Sequence, residues 1–455
     1  MIRSMMFTRR HRVAEKSLVV FTVSVSTLFT LGTSVLCAQA PTTTSVPVTR
    51  TIVAGIPVIH KRVTANDVVA VQVYLKGGSA ALTPDKAGIE NLLGAVITKG
   101  TTKYDKDKFS ALATSTGTSI GSAATYDWTT FTMQGVRQNW DQAWDLLAQA
   151  VVHPTFPEAE VALARGQIED GLKQRPDDPD TYLEEVADSV VYAGHAYAID
   201  AAGTPGTMAK LTRSDVVDWH KSRLTKSNLL IVVVGNVAPT DLAKKVTEAF
   251  GALPATGGEA KKVATVASAR GEPALVKREL PTNYIEGVFA APAPDHPDFA
   301  ALRVGILILT DRLFEEVRTK RNLTYATFAQ LNTRQANRGR IYVTAVNPDT
   351  TLRVMLAETK RLAEEPVPGQ ALKEAINVFA TGYFMGQQSN MGQASSLGLW
   401  ELSGGGYRNA ATYVNRLRAV KPADVQRVAR TYLKDFRFVV VGDPAKVSVN
   451  LLKAP

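Results

Sequence analysis

Cysteine is almost absent from this chain. The only one among 455 residues is Cys37, near the end of an apolar N-terminal stretch. If that stretch is removed, the mature chain has no thiol, which excludes both disulfide bonds and a cysteine nucleophile. A chain of this length can bury enough apolar surface to fold without disulfides. It is also too long for one ordinary core, so two to four domains are expected.

Long uncharged apolar runs are scarce, and the prominent one lies at the N-terminus. Basic residues end at Lys16, an uncharged run covers residues 17–36, and Ala38-Gln39-Ala40 forms a small-x-small cleavage pattern. We therefore predict a signal peptide over residues 1–40 and a periplasmic or secreted protein. Two alternatives stay open. Cleavage can instead follow Cys37, or the run can remain as a membrane anchor, because it is long enough to span a bilayer.

The sequence lacks clusters of lysine and arginine interleaved with aromatic residues. The net charge is +10, but residues 1–40 supply four of those charges and the remainder carries +6. This excess is modest for the length, so nucleic acid is not an expected partner. The hydrophobic fraction of 45% and the charged fraction of 21% are those of a globular protein rather than a disordered one.

Histidines are few, and beyond the signal stretch no two of them are three or four residues apart. Those residues are His60, His153, His195, His220 and His296. Histidines one helical turn apart are what a helix uses to bind one metal ion with two imidazoles. Each of these side chains is therefore expected to be a surface, capping or core residue rather than a ligand.

Among the patterns that are present, residues 85–102 are the most informative. Pro84 and Asp85 predict the start of a helix, and Lys99 with Gly100 predicts its end. The apolar residues follow the spacing i, i+3, i+4, i+7, i+8, at Ile89, Leu92, Leu93, Val96 and Ile97. That spacing predicts an amphipathic helix with one buried face.

The chain also repeats itself in outline. A predicted helix followed by Val-Val-Val-Gly occurs at residues 215–235 and again at residues 424–442. This duplication predicts an α+β fold of two homologous domains, each a mainly antiparallel β-sheet covered by helices. We place the domains at residues 41–253 and 273–455. A segment rich in Gly, Ala, Lys and Pro, residues 254–272, is the predicted linker.

Several segments resemble one peptidase family. Residues 88–101, Gly-Ile-Glu-Asn-Leu-Leu-Gly-Ala-Val-Ile-Thr-Lys-Gly-Thr, are similar to the zinc helix of the pitrilysin/insulinase-like peptidases, which include mitochondrial processing peptidase. Residues 194–204, 312–314 and 317–325 resemble further landmarks of that family. The similarity therefore covers nearly all of the mature chain. It implies that the two domains form half of a clamshell.

The resemblance also implies which residues should form a zinc site. The family's helix carries His-x-x-Glu-His, in which two histidines bind zinc and the glutamate activates a water. The matching positions here are Asn91, Gly94 and Ala95, and a third ligand, a glutamate in the family, falls at Gly171. None of these residues supplies a suitable ligand or a base, so we predict a degenerate site and no metal or other cofactor in this chain. The carboxylates beside Gly171 do not replace the third ligand, because a one-residue shift on a helix turns a side chain by about 100°.

A second pair of family residues is retained as Arg318 and Tyr325. In the family, the matching arginine and tyrosine reach across to the active site, where they bind the substrate backbone and stabilise the oxyanion. A guanidinium and a phenol are both hydrogen-bond donors and suit that role. The alternative is structural: Arg318 pairs with a carboxylate such as Glu315, and Tyr325 lies at the edge of the core.

Two functions remain open at this stage. In the first, the chain is the non-zinc subunit of an exported heterodimeric peptidase and is inactive alone. Its partner is a homologous zinc-bearing subunit, zinc is expected in that partner, and the substrate is a peptide added as a strand to the sheet edge within residues 119–136. In the second, the chain is an inactive binding or scaffold module of a periplasmic or membrane-associated complex. Independent metallopeptidase activity is disfavoured.

Overall fold

The computed structural model describes residues 47–258 and 263–453. The predicted signal peptide over residues 1–40 lies outside these ranges. Within them, no helix combines the length and the apolar character needed to cross a membrane. The described chain forms two β-sheets, of six and five strands, with helices packed against them.

The first sheet has the strand order β1-β2-β6-β3-β5-β4. Its strands are β1 (Val48–Val53), β2 (Ile56–Lys61), β3 (Val68–Lys76), β4 (Ser119–Ala124), β5 (Trp128–Val136) and β6 (Leu229–Val234). Only β2 and β6 pair in parallel. All six residues of β6 are buried, as expected for an uninterrupted apolar strand in the middle of a sheet. The largely exposed strand β4 is one edge.

Eight α-helices occur in the same half of the described chain, and seven of them lie outside the second sheet, on which α5 packs. They are α1 (Ile89–Val96), α2 (Lys106–Ser115), α3 (Trp140–Val152), α4 (Glu158–Gln174), α5 (Pro179–Val191), α6 (Pro205–Met208), α7 (Arg213–Arg223) and α8 (Pro239–Phe250). Helix α1 is shorter than the predicted helix over residues 85–102. Gly88 precedes it with a left-handed φ of 84°, which separates it from a 3₁₀ turn at Pro84–Lys86. The apolar residues predicted to form its buried face are all buried.

The second sheet has the strand order β7-β11-β8-β10-β9. Its strands are β7 (Ala274–Lys277), β8 (Asn283–Ala290), β9 (Thr327–Leu331), β10 (Arg338–Ala345) and β11 (Arg437–Gly442). The α-helices in this half of the described chain are α9 (Phe299–Leu313), α10 (Pro348–Glu364), α11 (Gly369–Gly386), α12 (Asn390–Ser403), α13 (Asn409–Arg418), α14 (Pro422–Tyr432) and α15 (Val449–Leu452). Of these, α12 packs on β3 and β6 of the first sheet. Helix α9 continues directly into a π-helical turn, Phe314–Thr319.

The two Val-Val-Val strands occupy equivalent places in their sheets. Strand β6 lies between a parallel neighbour, β2, and an antiparallel neighbour, β3. Strand β11 likewise lies between the parallel β7 and the antiparallel β8. The prediction of a duplicated α+β fold with mainly antiparallel sheets is confirmed.

A buried ion-pair network connects helix α5 to the second sheet. The side chain of Arg338, on β10, is fully buried. Its Nε lies 2.5 Å from Oδ1 of Asp188 on α5, and its Nη1 lies 2.6 Å from Oε1 of Glu286 on β8. Arg334 adds a second contact to Asp188 at 2.9 Å. Because buried charges are costly when unpaired, this network strongly favours a fixed arrangement of α5 on the second sheet.

Candidate functional site

The face of α1 that would hold the metal carries no ligand. Asn91, Gly94 and Ala95 are half-buried there. The Asn91 amide Nδ2 donates a hydrogen bond of 3.3 Å to the carbonyl oxygen of Ala202, so it is used within the protein. Gly94 and Ala95 have no polar side-chain atom. Asn91, Gly94 and Ala95 lie on one helix, α1, but their chemistry does not fit zinc.

The fourth position of that site, Gly171, lies on α4 and is exposed. A Cβ atom added to it would have nothing within 4 Å. The neighbouring Glu169 and Asp170 face Lys173, at 2.6 Å and 3.9 Å respectively. In the ranges that the structure describes, no group of three or more His, Cys, Asp or Glu side chains is arranged to hold a metal ion.

The carboxylate on α1 itself, Glu90, points away from the face with Asn91 and Gly94. It is 1% exposed and accepts a hydrogen bond of 2.5 Å from Oγ1 of Thr129 on β5. Burial raises the pKa of Glu90 to about 7, and the Thr129 hydrogen bond and the charge of Arg223 oppose that rise. Glu90 was not singled out from the sequence. The hydrogen bond from Thr129 to the buried Glu90 connects α1 to β5 of the first sheet.

Arg318 and Tyr325 lie together on the surface of the second half. The Arg318 guanidinium carbon is 4.5 Å from the centre of the Tyr325 ring and 4.7 Å from the centre of the Phe314 ring. Tyr325 is 81% exposed and Phe314 is 44% exposed. The cation is thus held between two accessible aromatic rings.

This placement differs from the structural alternative for the pair. Among the described residues, Arg318 forms no ion pair, and the nearby Glu315 instead faces Lys320 at 3.8 Å. Tyr325 is too exposed to belong to the edge of the core. Neither Arg318 nor Tyr325 makes a hydrogen bond, ion pair or ring contact with the α1 face in the described part of the chain.

The connection between the π-helical turn and β9 fixes the backbone that carries the two side chains. The backbone N–H of Leu323 donates a hydrogen bond of 2.9 Å to the carbonyl oxygen of Val317, and this bond closes the turn after Arg318. Thr324, immediately before Tyr325, hydrogen-bonds through its hydroxyl to the backbone of Thr344 on β10. The same hydroxyl accepts the N–H of Ala326 at 3.1 Å. The backbone on both sides of Tyr325 is therefore tied down although its ring is exposed.

The chemical capacity of this site is hydrogen-bond donation. The two ring contacts of the Arg318 guanidinium use none of its N–H groups as hydrogen-bond donors to a carboxylate, so among the described residues those groups stay available. The exposed Tyr325 hydroxyl is a second donor. Such a pair can bind a peptide carbonyl or the oxyanion that forms from it, provided another group activates the nucleophile.

Two family models match this chain. One, the insulinase peptidase family M16, covers residues 58–204, and the other, the peptidase M16 inactive domain, covers residues 210–379. A relative in Mycobacterium leprae, named an uncharacterized zinc protease, is 24% identical over 406 residues, which is 86% of this chain and 91% of that protein. A Bacillus subtilis relative named in the same way is 22% identical over 386 residues, 82% of this chain and 92% of that protein.

Solved structures show the same fold. A peptidase M16 inactive domain from Pseudomonas fluorescens has a TM-score of 0.79 at 20% identity, covering 87% of this chain and 98% of that one. A protease from Helicobacter pylori has a TM-score of 0.77 at 19% identity, covering 87% and 99%. The chain therefore belongs to the insulinase-like peptidase family M16.

Proposed function

We propose that this chain is the zinc-free subunit of an exported, two-chain peptidase. Its partner is a homologous subunit that carries the zinc and the catalytic glutamate. Arg318 and Tyr325 of this chain complete the partner's active site by binding the peptide backbone and stabilising the oxyanion. Export follows from the signal pattern of residues 1–40.

The observation that carries the proposal is the contrast between the two candidate regions. The α1 face has lost every group that performs metal-assisted hydrolysis, at Asn91, Gly94 and Ala95. The second region keeps two donors close together, accessible and free of intramolecular ion pairs among the described residues. Donors without a nucleophile of their own suit a site whose other half is on a second chain.

The edge strand β4 supports a peptide as the substrate. Among the described strands it pairs only with β5, so no described strand occupies its other side. An extended peptide can add to such an edge through main-chain hydrogen bonds, which recognise backbone rather than sequence. This mode fits the degradation of peptides or unfolded segments.

The direct test is reconstitution. The mature chain is mixed with the zinc-bearing M16 homologue from the same genome, and cleavage of an unfolded peptide is measured. Arg318→Ala and Tyr325→Phe are each expected to lower kcat about a hundredfold, because each removes one donor to the oxyanion. Arg353→Ala, at an exposed arginine on α10, is the matched control and should leave kcat unchanged. Full activity of both site variants would contradict the proposed role.

A scaffold is the second candidate function, and the loss of the zinc ligands is the observation that favours it. An inactive binding module would form a stable complex that shows no peptidase activity with or without Arg318 and Tyr325. The same reconstitution therefore separates the two functions.

A further inference from the structure

The α1 face that would hold the metal lies directly against the edge strand β4. A Cβ atom built on Gly94 would overlap Oγ of Ser122 and would lie only 3.0 Å from the Cβ of that serine. Carbon atoms pack favourably at about 3.5–4.0 Å. Any side chain at position 94 therefore requires the Ser122 hydroxyl to rotate away and the Ser122 Cβ to shift by a few tenths of an ångström. Glycine is what permits the helix and the strand to approach this closely.

The beginning of α1 is covered in a similar way by the loop that contains Ala202 and Gly203. The Asn91 amide Nδ2 donates a hydrogen bond of 3.3 Å to the carbonyl oxygen of Ala202. A Cβ atom added to Gly88, just before the helix, would lie 2.7 Å from the Cα of Gly203. Two separate segments thus meet α1 at positions where the family pattern implies a ligand or a base.

We propose that this face has become a packing seam, formed by Asn91, Gly94, Ser122 and Ala202. In the seam, the absence of a side chain at Gly94 lets β4 pack directly on the helix. The hydrogen bond from Asn91 to the Ala202 carbonyl attaches the 202–203 loop to the same helix. The seam fixes the position of the edge strand β4. It also crowds position 94, so a glutamate placed there must displace Ser122 before it can reach a metal, and restoring the zinc motif by substitution alone does not restore a zinc site. This inference does not depend on a partner chain.

A double-mutant cycle tests the seam through stability, measured by urea unfolding of the mature chain. Gly94→Ala is made in the presence of Ser122 and in a Ser122→Gly background. With Ser122 present, the cost of overpacking is expected to exceed the gain in helix propensity and to lower the ratio of folded to unfolded chain about tenfold. With Ser122→Gly, most of that loss should disappear, because contacting residues are energetically coupled.

Gly171→Ala is the matched control for the cycle. It also replaces a helical glycine by alanine, but nothing lies within 4 Å of the new methyl group. The unfolding midpoint of this variant should rise, because alanine is the better helix former. A loss from Gly94→Ala that is equally large in both backgrounds would overturn the seam.

Metal content gives an independent readout. The variant Asn91→His/Gly94→Glu/Ala95→His/Gly171→Glu is dialysed against zinc sulfate, and its bound zinc is measured by mass spectrometry. No stoichiometric zinc is expected in a chain that keeps Ser122. Retention of one zinc ion per chain would overturn the inference. If this variant does not fold, the Gly94→Ala cycle still decides the question.

Discussion

At the scale of single residues, Arg318 shows how the fold can prepare a donor without using it. Its guanidinium lies between the rings of Phe314 and Tyr325. An ion pair with Glu315 would have occupied the same N–H groups, but that carboxylate faces Lys320. Aromatic stacking orients the cation while its N–H groups stay available to a second molecule. A positioned, unused donor is what a site completed in trans requires.

Phe314 is expected to act as a positioning residue for Arg318. Phe314→Leu removes one of the two rings, whereas Phe314→Tyr keeps it. A cation–π contact at an exposed site contributes about 0.5–1 kcal/mol. In the reconstituted peptidase, Phe314→Leu should therefore lower kcat about threefold with little change in KM, and Phe314→Tyr should retain kcat. Equal effects of the two substitutions would show that the ring has no such role.

At the scale of elements, helix α1 separates what the sequence can predict from what it cannot. The stripe from Ile89 to Ile97 correctly predicted the buried face, because spacing alone determines which residues share a side of a helix. The start at Asp85 was wrong. The cap signals at Pro84 and Asp85 belong to a separate 3₁₀ turn, and the left-handed Gly88 sets the true beginning.

The candidate site was likewise predictable from the sequence only in part. The sequence indicated Arg318 and Tyr325 only through family resemblance, since seven residues of separation give no reason for contact. The contact between them depends on the π-helical turn and on the hydrogen bonds of Thr324. The periodicity of apolar residues predicts neither feature. Phe314 and Glu90 were missed for a related reason: their importance comes from neighbours that are distant in space or placed by an irregular turn.

Glu90 is expected to make the stability of the chain depend on pH. Its pKa in the folded chain is about 7, above the ordinary value of 4.5. Stability is therefore greatest below about pH 4.5, falls as pH rises towards 7, and stays reduced at higher pH, by roughly 3 kcal/mol. Glu90→Gln removes the ionisation. It should raise the free energy of unfolding at pH 8, and the difference should largely disappear at pH 5.

Urea unfolding of the two proteins at both pH values measures this effect. Thr129→Ala at pH 8 serves as a comparison, since it removes the hydrogen bond to Glu90 while leaving the ionisable group in place. A difference between the glutamate and the glutamine proteins that is the same at pH 5 and pH 8 would contradict the account of Glu90.

At the scale of the whole molecule, the buried ion pairs hold helix α5 of the first half against the second sheet. Arg338 is paired with both Asp188 and Glu286, and Arg334 adds to the same cluster. Removing one partner of such a network leaves a buried charge uncompensated, which costs about 3–5 kcal/mol. Separation of α5 from the second sheet is therefore unfavourable.

The central claim is that Tyr325 lies at the active site of another chain, and a photocrosslink tests it most directly. Position 325 is 81% exposed, so it accepts the photoreactive amino acid p-benzoylphenylalanine without disturbing the core. On irradiation of the reconstituted complex, we expect a crosslink to the zinc helix of the partner or to bound peptide, and we expect excess substrate peptide to suppress the crosslink to the partner. The same label at Arg353 should not give this product. Crosslinks from position 325 that form only within this chain, or that are unaffected by peptide, would contradict the account.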